Sequence, residues 1–158
     1  MGLRSTGRLT LCLLLCLGVG ILESTVTRSE IPGWYAGLVK PAWTPPPLAF
    51  PIVWTLLYIL MSVSLWRLWD RAAPSAARTT AIVWFAVQLA FNAAWSPVFF
   101  GWHAIQIALI VIIALLVAIA MTIITTSRVD RFAAWLLVPY LIWVAYATTV
   151  NAGVVVMN

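Results

Sequence analysis

Charged residues are scarce in this sequence. Lysine and arginine together number 9, aspartate and glutamate 4, and only 8% of the 158 residues are charged, whereas 64% are hydrophobic. A soluble domain is about one quarter charged and about half apolar. The composition therefore excludes an ordinary water-soluble fold and predicts an all-α integral membrane protein built from several hydrophobic helices.

Histidine and cysteine are also scarce, which limits the chemistry that the chain can perform. The single histidine, His103, lies at a predicted turn, so no Ser/His/Asp or Cys/His nucleophile set can form. We interpret it as a solvated interfacial residue, the alternative being an axial haem ligand. Cys12 and Cys16 lack the spacings of zinc or haem-attachment motifs, and a disulfide between them would strain a helix. The sequence thus predicts no catalytic residue, no metal site and no required cofactor.

The few basic residues are separated by apolar runs, which argues against nucleic-acid binding. They also divide unevenly between the two sides of a protein with five spans. One side receives only Arg28 and Lys40. The other receives seven arginines, which are Arg4, Arg8, Arg67, Arg71, Arg78, Arg128 and Arg131. The positive-inside rule then predicts a cytoplasmic N-terminus.

Long apolar runs predict a single five-helix domain covering residues 1–158. The predicted helices cover residues 7–27, 47–68, 79–100, 104–126 and 132–155, each close to the ~20 residues that cross a bilayer. The first could be a cleaved signal peptide, but it has no clear A-x-A pattern, so a retained helix is favoured.

Between the first two helices, residues 28–46 are predicted to form a stiff lid loop. Pro32-Gly33 is expected to break the first helix, and the prolines at 45–47 favour an extended backbone.

Three of the five spans carry aromatic residues at helical spacing together with a few hydrogen-bonding groups. The second presents Phe50, Trp54 and Tyr58, the third Gln88, Asn92 and Trp95, and the fifth Tyr140, Trp143, Ala147 and Asn151. The fourth span is almost purely aliphatic and is expected to face lipid over most of its circumference. A stiff loop above an apolar, tryptophan-rich pocket suits a flat hydrophobic ligand.

Side-chain amides within a span are costly against lipid, so Gln88 and Asn92 should face the bundle interior. Each could bond a neighbouring backbone or contact a ligand, and the ligand contact is more plausible at Asn92. No Asp, Glu, Lys or Arg is expected in the interior of any span, which argues against ion-coupled transport. A series of small residues (Ala86, Ala90 and Ala94) is either a dimer face or a site of ordinary close packing within the bundle.

Four segments resemble, in order and spacing, the tryptophan-rich sensory protein / translocator protein family (TspO/MBR, also called the peripheral benzodiazepine receptor family). The segments are WYAGLVKPAWTPP, FPIVWTLLY, QLAFNAAWSPVFFG and VPYLIWVAYATTVN. The resemblance covers about residues 30–153. It implies a five-helix bundle, often a homodimer, that lies among membrane lipids, here in a bacterial cell membrane.

The resemblance also implies a ligand site between the helices, under the lid. By motif it comprises Trp43, Trp54, Tyr58, Asn92, Trp95, Trp143 and Ala147. The helical spacing of aromatic residues on the second span adds Phe50. The implied ligands are porphyrins, such as protoporphyrin IX and haem-type tetrapyrroles, and sterol or isoquinoline- and benzodiazepine-type molecules. The C-terminal TTVNAGVVVMN lacks the Tyr and basic residue of a proposed cholesterol motif, which puts tight sterol binding in doubt.

Three functions compete on this basis. The first is a membrane receptor or carrier that binds porphyrins in tetrapyrrole regulation or transport. The second is an enzyme that degrades porphyrin in light, with Trp54 and Trp143 as redox partners. The third is a facilitative transporter of lipophilic molecules.

Overall fold

The computed structural model describes residues 2–158 as a helical bundle, with no strand in that range. Five helical segments are long and apolar enough to cross a membrane: Leu3–Tyr35, Ala49–Arg71, Ala76–Gly101, Ile105–Ser127 and Arg131–Met157. The α-helices within them are α1 (Leu3–Glu30), α2 (Ala49–Trp66), α3 (Ala76–Ser96), α4 (Ile105–Ser127), α5 (Arg131–Trp135) and α6 (Val138–Met157). The prediction of an all-α, five-span membrane protein is confirmed.

The first span is longer than the predicted helix over residues 7–27. After α1 the chain continues into the π-helical segment Ile31–Tyr35, so Pro32-Gly33 does not break the helix as expected. Pro32 lies in the first turn of this segment, where its missing N–H costs little. At 1.5 Å per residue the 33-residue span is about 50 Å long, against about 30 Å of hydrocarbon. The lid is correspondingly shorter than residues 28–46 and occupies residues 38–48.

Two further prolines shape the ends of helices. A second π-helical segment, Arg67–Arg71, follows α2, and Pro97 opens a third, Pro97–Gly101, which extends α3. Pro139 interrupts the fifth span, because it has no N–H to donate to the carbonyl of Trp135. The predicted continuous helix over 132–155 is therefore two helices, α5 and α6, joined at residues 136–137.

The core lies at mid-bundle, where α2, α3, α4 and α6 meet. Its largest buried side chains include Tyr140, Phe85, Met61 and Leu115, each at most 2% exposed. The outer surface is covered with exposed leucine and isoleucine, as lipid contact requires.

The aliphatic helix α4 does not simply face lipid. It buries a stripe against α3 and α6 that includes Ala108, Ile112, Leu115 and Ile119. The opposite face, with Ile110 and Val117, is exposed.

One end of the bundle, here called the arginine end, holds the start of α1, the end of α2 and the start of α5. Two ion pairs connect these elements. Arg8 Nη1 lies 3.0 Å from Asp70 Oδ1, and Arg67 Nε lies 2.8 Å from Asp130 Oδ2. Ser5 adds a hydroxyl hydrogen bond of 2.6 Å to Asp70. The arginines at this end therefore hold helices together.

Asp130 has a second role as the N-cap of α5, accepting a hydrogen bond from the Ala133 N–H at 3.0 Å. Partial burial works against ionisation, but this N–H and the Arg67 guanidinium together hold the pKa of Asp130 below its ordinary value. A lowered folded pKa means that the ionised form stabilises the fold. That contribution is complete above the ordinary pKa of about 3.9 and is lost as the pH falls through the folded value.

Asp130→Ala is accordingly expected to lower the free energy of unfolding by about 1–2 kcal/mol at neutral pH, because it removes the cap and the ion pair. Thermal unfolding in detergent at a series of pH values measures this. The difference from the unchanged protein should shrink as the pH approaches 3. Asp130→Asn is the matched control, since it keeps a capping oxygen but not the charge and should lose less. Parallel pH profiles for Asp130→Ala and the unchanged protein would contradict the assignment.

Candidate functional site

A chain of hydrogen bonds between three buried side chains and one partly buried carboxyl crosses the middle of the bundle. The Tyr58 hydroxyl of α2 contacts both the Glu23 carboxyl of α1 and, at 2.6 Å, Asn92 Oδ1 of α3. Asn92 Nδ2 donates in turn to the Tyr140 hydroxyl of α6 at 2.7 Å. Tyr58, Asn92 and Tyr140 are at most 2% exposed. Four of the five spans are thus linked through one polar chain, called here the Glu23–Tyr140 chain.

Glu23 corrects the expectation that no charged residue lies inside a span. It is about 30 Å along the helix axis from Leu3 and about 18 Å from Tyr35, well inside the first span. The absence of buried acid can therefore no longer be used against coupled transport.

The close approach of α1 to α2 depends on Gly20, one turn before Glu23. A Cβ at this position would collide with the Tyr58 ring. With Cys12, Cys16, Glu23 and Thr27, Gly20 forms a stripe at spacings of three and four residues. Thr27 meets Ser96 of α3 at 2.7 Å. The absence of a Cβ at Gly20 thus brings the Glu23 carboxyl within reach of Tyr58.

Aromatic rings surround this polar chain. The Trp54 ring lies 5.5 Å from the Tyr58 ring and 6.1 Å from the Tyr140 ring. Nearer the lid, the Trp143 ring lies 6.0 Å from Phe50 and 5.7 Å from Tyr146. All of these distances are typical of direct ring contact.

Trp95 and Ala147 complete the predicted set on α3 and α6. The Trp95 indole N–H donates to Asn151 Oδ1 at 3.2 Å, and its ring stacks on Phe99 with centroids 5.1 Å apart. Ala147, like Trp54 and Trp143, packs against the core cluster that contains Tyr58 and Tyr140. The structure therefore brings Phe50, Trp54, Tyr58, Asn92, Trp95, Trp143 and Ala147 to one side of the bundle interior.

Trp43 is placed differently from the other predicted site residues. Its side chain is 51% exposed. Its backbone carbonyl accepts a hydrogen bond from the Tyr146 hydroxyl of α6. Trp43 thus connects the lid to the site through its main chain, and its ring lies at the surface.

The lid is fastened to α6 at a second point. The Val39 N–H donates to Asn158 Oδ1 at 3.1 Å, and Asn158 Nδ2 donates to the Val39 carbonyl at 2.9 Å. Pro41 sits directly against Gly153, where a Cβ would collide with it. The path of the lid is therefore set by one face of α6.

Lys40 fixes the other end of the lid, where it leaves the first span. Its ammonium donates to the carbonyls of Tyr35 at 2.7 Å and Leu38 at 2.8 Å, and lies 4.7 Å from the Tyr35 ring centroid. Carbonyls at a helix C-terminus lack intrahelical partners, and a cation there is favourable.

Two buried polar groups in this region have no hydrogen-bond partner within residues 2–158. They are the whole amide of Gln88, 1% exposed, and the indole N–H of Trp143. The alternative that Gln88 bonds a neighbouring backbone is therefore wrong for this structure. Unpaired buried donors are costly, which makes these two groups candidates for ligand contact.

The rings beneath the lid contact one another, with centroids 5.5 to 6.1 Å apart. A depression of about 460 Å³ lies at the arginine end, lined by Ile123, Ser127, Arg131, Ala134, Trp135 and Val138. A ligand the size of a porphyrin could enter beneath the lid only if the lid and rings moved apart.

The sequence profile of the TspO/MBR family matches residues 12–157. Tryptophan-rich protein TspO of Chlorobaculum tepidum is 39% identical over 150 residues, which are 95% of this chain and 95% of that protein. The chain belongs to the TspO/MBR family. Tryptophan-rich protein TspO of Archaeoglobus fulgidus is 35% identical over 151 residues, covering 96% of this chain and 97% of the relative. The translocator protein of Homo sapiens is 37% identical over 119 residues, covering 75% and 70%.

Sequence reasoning missed several residues of this TspO/MBR site. Glu23 was not singled out, because it lies close to the predicted end of the first helix at residue 27, although its stripe with Cys12, Cys16 and Gly20 could have shown that it faces inward. Tyr140 and Asn151 were placed on the inward stripe without a role. The lid contacts of Tyr146 and Asn158 have no local signal, because they join residues more than 100 positions apart.

Gly153→Ala is expected to displace the lid of this TspO/MBR protein, because the added methyl collides with Pro41. Gly18→Ala is the matched control, since a Cβ there meets no atom within 4 Å. In a helix, Gly to Ala alone stabilises by up to about 1 kcal/mol. Hydrogen exchange over residues 38–48 should therefore accelerate in Gly153→Ala only. Equal exchange in both variants would show that the lid does not depend on this contact.

Proposed function

We propose that this protein is a membrane receptor or carrier that binds porphyrins, among them protoporphyrin IX and haem-type tetrapyrroles, in tetrapyrrole regulation or transport. The observation that carries the proposal is the group of aromatic faces on α2 and α6 beside unpaired, buried hydrogen-bond donors. Flat conjugated molecules stack on such faces. Other lipophilic molecules, including sterol and isoquinoline- or benzodiazepine-type compounds, are secondary ligands of the same site.

Three residues would hold the porphyrin ring, namely Trp54, Trp143 and Gln88. Trp54 and Trp143 offer flat faces on two different helices, α2 and α6. The Trp143 N–H and the Gln88 amide offer the polar contacts, because neither is used within residues 2–158. The lid and the Phe50 ring then cover the bound molecule after moving to admit it.

The names of several relatives are consistent with a protein that binds a ligand in order to sense it or carry it. One is named tryptophan-rich sensory protein, from Cereibacter sphaeroides, and is 40% identical over 125 residues. Others are named translocator protein.

We further propose that the arginine end lies on the cytoplasmic side of a bacterial cell membrane, with the lid outside.

Trp143→Phe tests the assigned pocket. It keeps an aromatic ring but removes the unpaired N–H, and should weaken binding of protoporphyrin IX by about 5- to 30-fold, equivalent to about 1–2 kcal/mol. Quenching of tryptophan fluorescence during titration measures the affinity. Trp135→Phe is the matched control, since that side chain is 70% exposed at the arginine end. Asn92→Ala, checked for folding by its melting temperature, is expected to weaken binding as well. Unchanged affinity in both site variants would overturn the pocket.

The photochemical alternative is supported by one contact. Trp54 lies against Tyr58, so an indole near an excited porphyrin has a neighbouring phenol. Illumination of the complex separates the functions. Bleaching of porphyrin faster than in detergent alone, and slowed in Trp54→Phe, would favour the enzyme. Dark flux of porphyrin into proteoliposomes would favour the facilitative transporter.

A homodimer through α3 is part of the proposal. Ala86, Ala90 and Ala94 are all exposed, so they do not serve close packing within the chain. Small residues at spacings of four let two helices approach closely in lipid. Ala90→Leu should reduce the dimer fraction in detergent, measured by light scattering. Ala145→Leu, at an exposed position on α6, is the control and should leave it unchanged. A dimer that persists equally in both variants would exclude this face.

A further inference from the structure

The number of protons available in the Glu23–Tyr140 chain determines which group donates in each of its hydrogen bonds. The Tyr58 hydroxyl carries one proton and contacts two oxygens, one from Glu23 and one from Asn92. Asn92 directs its NH₂ to Tyr140, so its carbonyl can only accept from Tyr58. The remaining contact is satisfied only when the Glu23 carboxyl carries a proton and donates it to the Tyr58 oxygen.

Ionised Glu23 would require a different arrangement. Tyr58 would donate to the carboxylate, the Asn92 amide would rotate by 180° to donate to Tyr58, and Tyr140 would donate to the Asn92 carbonyl. The charge state of Glu23 and the orientation of Asn92 are therefore coupled. The structure has the orientation that matches the neutral acid.

No cation within residues 2–158 compensates a charge on Glu23. The three ion pairs in that range involve Arg8, Arg67 and His103, and none includes it. The titratable side chains of this region are Tyr58 of α2, Tyr140 of α6 and Cys16 of α1. From α3, Ser96 contacts Thr27 of α1 and Asn92 contacts Tyr58, and segment Pro97–Gly101 brings no titratable group. An ionised Glu23 would be an anion inside a span with no cation beside it, which is strongly unfavourable in a membrane.

We infer that Glu23 is a specificity-determining residue of this site, which selects, among the secondary lipophilic ligands proposed above, those that bring a protonated nitrogen. This rests on the proposed function, because a ligand stacked on Trp54 lies beside Tyr58 and the Glu23–Tyr140 chain. The ligand's ammonium supplies the counter-charge that the protein lacks. Glu23 then ionises, its proton leaves to bulk water, and Asn92 turns to complete the reversed chain.

Two anthracene probes of nearly equal shape test this inference. They are 9-(methylaminomethyl)anthracene, a cation at neutral pH, and 9-(methoxymethyl)anthracene, which is uncharged. Energy transfer from tryptophan to anthracene in the full-length protein measures binding of each. The amine should bind at least about tenfold tighter than the ether, the scale of one hydrogen bond to a charged group. Because binding the amine releases a proton, its affinity should rise with pH, whereas that of the ether should stay constant.

Glu23→Gln is the informative variant, because its amide can still donate to Tyr58 but cannot ionise. The preference for the amine and its pH dependence should disappear, while the ether should bind within about twofold of the unchanged protein. Glu30→Gln is the matched control. Glu30 is also near the end of α1, but it pairs with His103 at 3.0 Å and lies outside the chain. It should behave like the unchanged protein.

An infrared measurement gives a second readout that does not depend on affinity. The ligand-free protein should show the C=O stretch of a protonated carboxyl that is absent in Glu23→Gln and lost when the amine binds. The inference is overturned if this band is missing, or if the amine preference persists in Glu23→Gln. If neither probe nor protoporphyrin IX binds the unchanged protein, the proposed function itself fails. If both probes bind equally, only the role of Glu23 fails.

Discussion

The absence of water inside a bilayer is the constraint on which this structure depends. Every polar group within the hydrocarbon must find its partner in the chain itself. The Glu23–Tyr140 chain meets this demand for four side chains from four spans at once. Because each hydrogen bond needs its partner within about 3 Å, the rotation of each helix about its own axis is fixed by the others.

The consequence is clearest for α1, which lies in the span with the smallest buried share. Among its 28 residues only Cys12 and Cys16 are buried. Apolar packing alone gives little reason for one rotation of α1 over another, since lipid is as apolar as its neighbours. Gly20 and Glu23 supply that reason, the first by admitting the Tyr58 ring and the second by bonding its hydroxyl.

The sequence could predict the spans, the distribution of arginines and the inward stripes, because each follows from local composition or from spacing along one helix. Trp54, Tyr58 and Asn92 were identified in this way, and they meet as expected. Glu23 was not identified, because the first helix was predicted to end at residue 27, before Pro32, which placed Glu23 close to a helix end. A π-helical segment absorbs that proline, and nothing in the local sequence distinguishes this outcome from a break.

Contacts between spans were beyond prediction for a different reason. Whether Asn151 reaches Trp95, or Asn158 reaches Val39, depends on the tilt and rotation of two helices at once. A single sequence specifies the face of each helix but not the angle at which two faces meet. The lid shows this most plainly, since all of its fixed points on α6 are more than 100 residues away in the chain.

The polar groups of the bundle interior fall into two classes, and the difference bears on function. Those of the Glu23–Tyr140 chain are paired, whereas the Trp143 N–H and the Gln88 amide are not. An unpaired buried donor lowers the free energy of unfolding by about 1–3 kcal/mol, and other contacts in the fold must offset that loss. A ligand that pairs these donors recovers that free energy on binding, so the proposed porphyrin would be bound through groups that destabilise the ligand-free state. The Glu23–Tyr140 chain responds differently. Its groups are already hydrogen-bonded, so a neutral ligand adds no hydrogen bond to it. Its hydrogen bonds reverse direction only for a ligand that brings a positive charge.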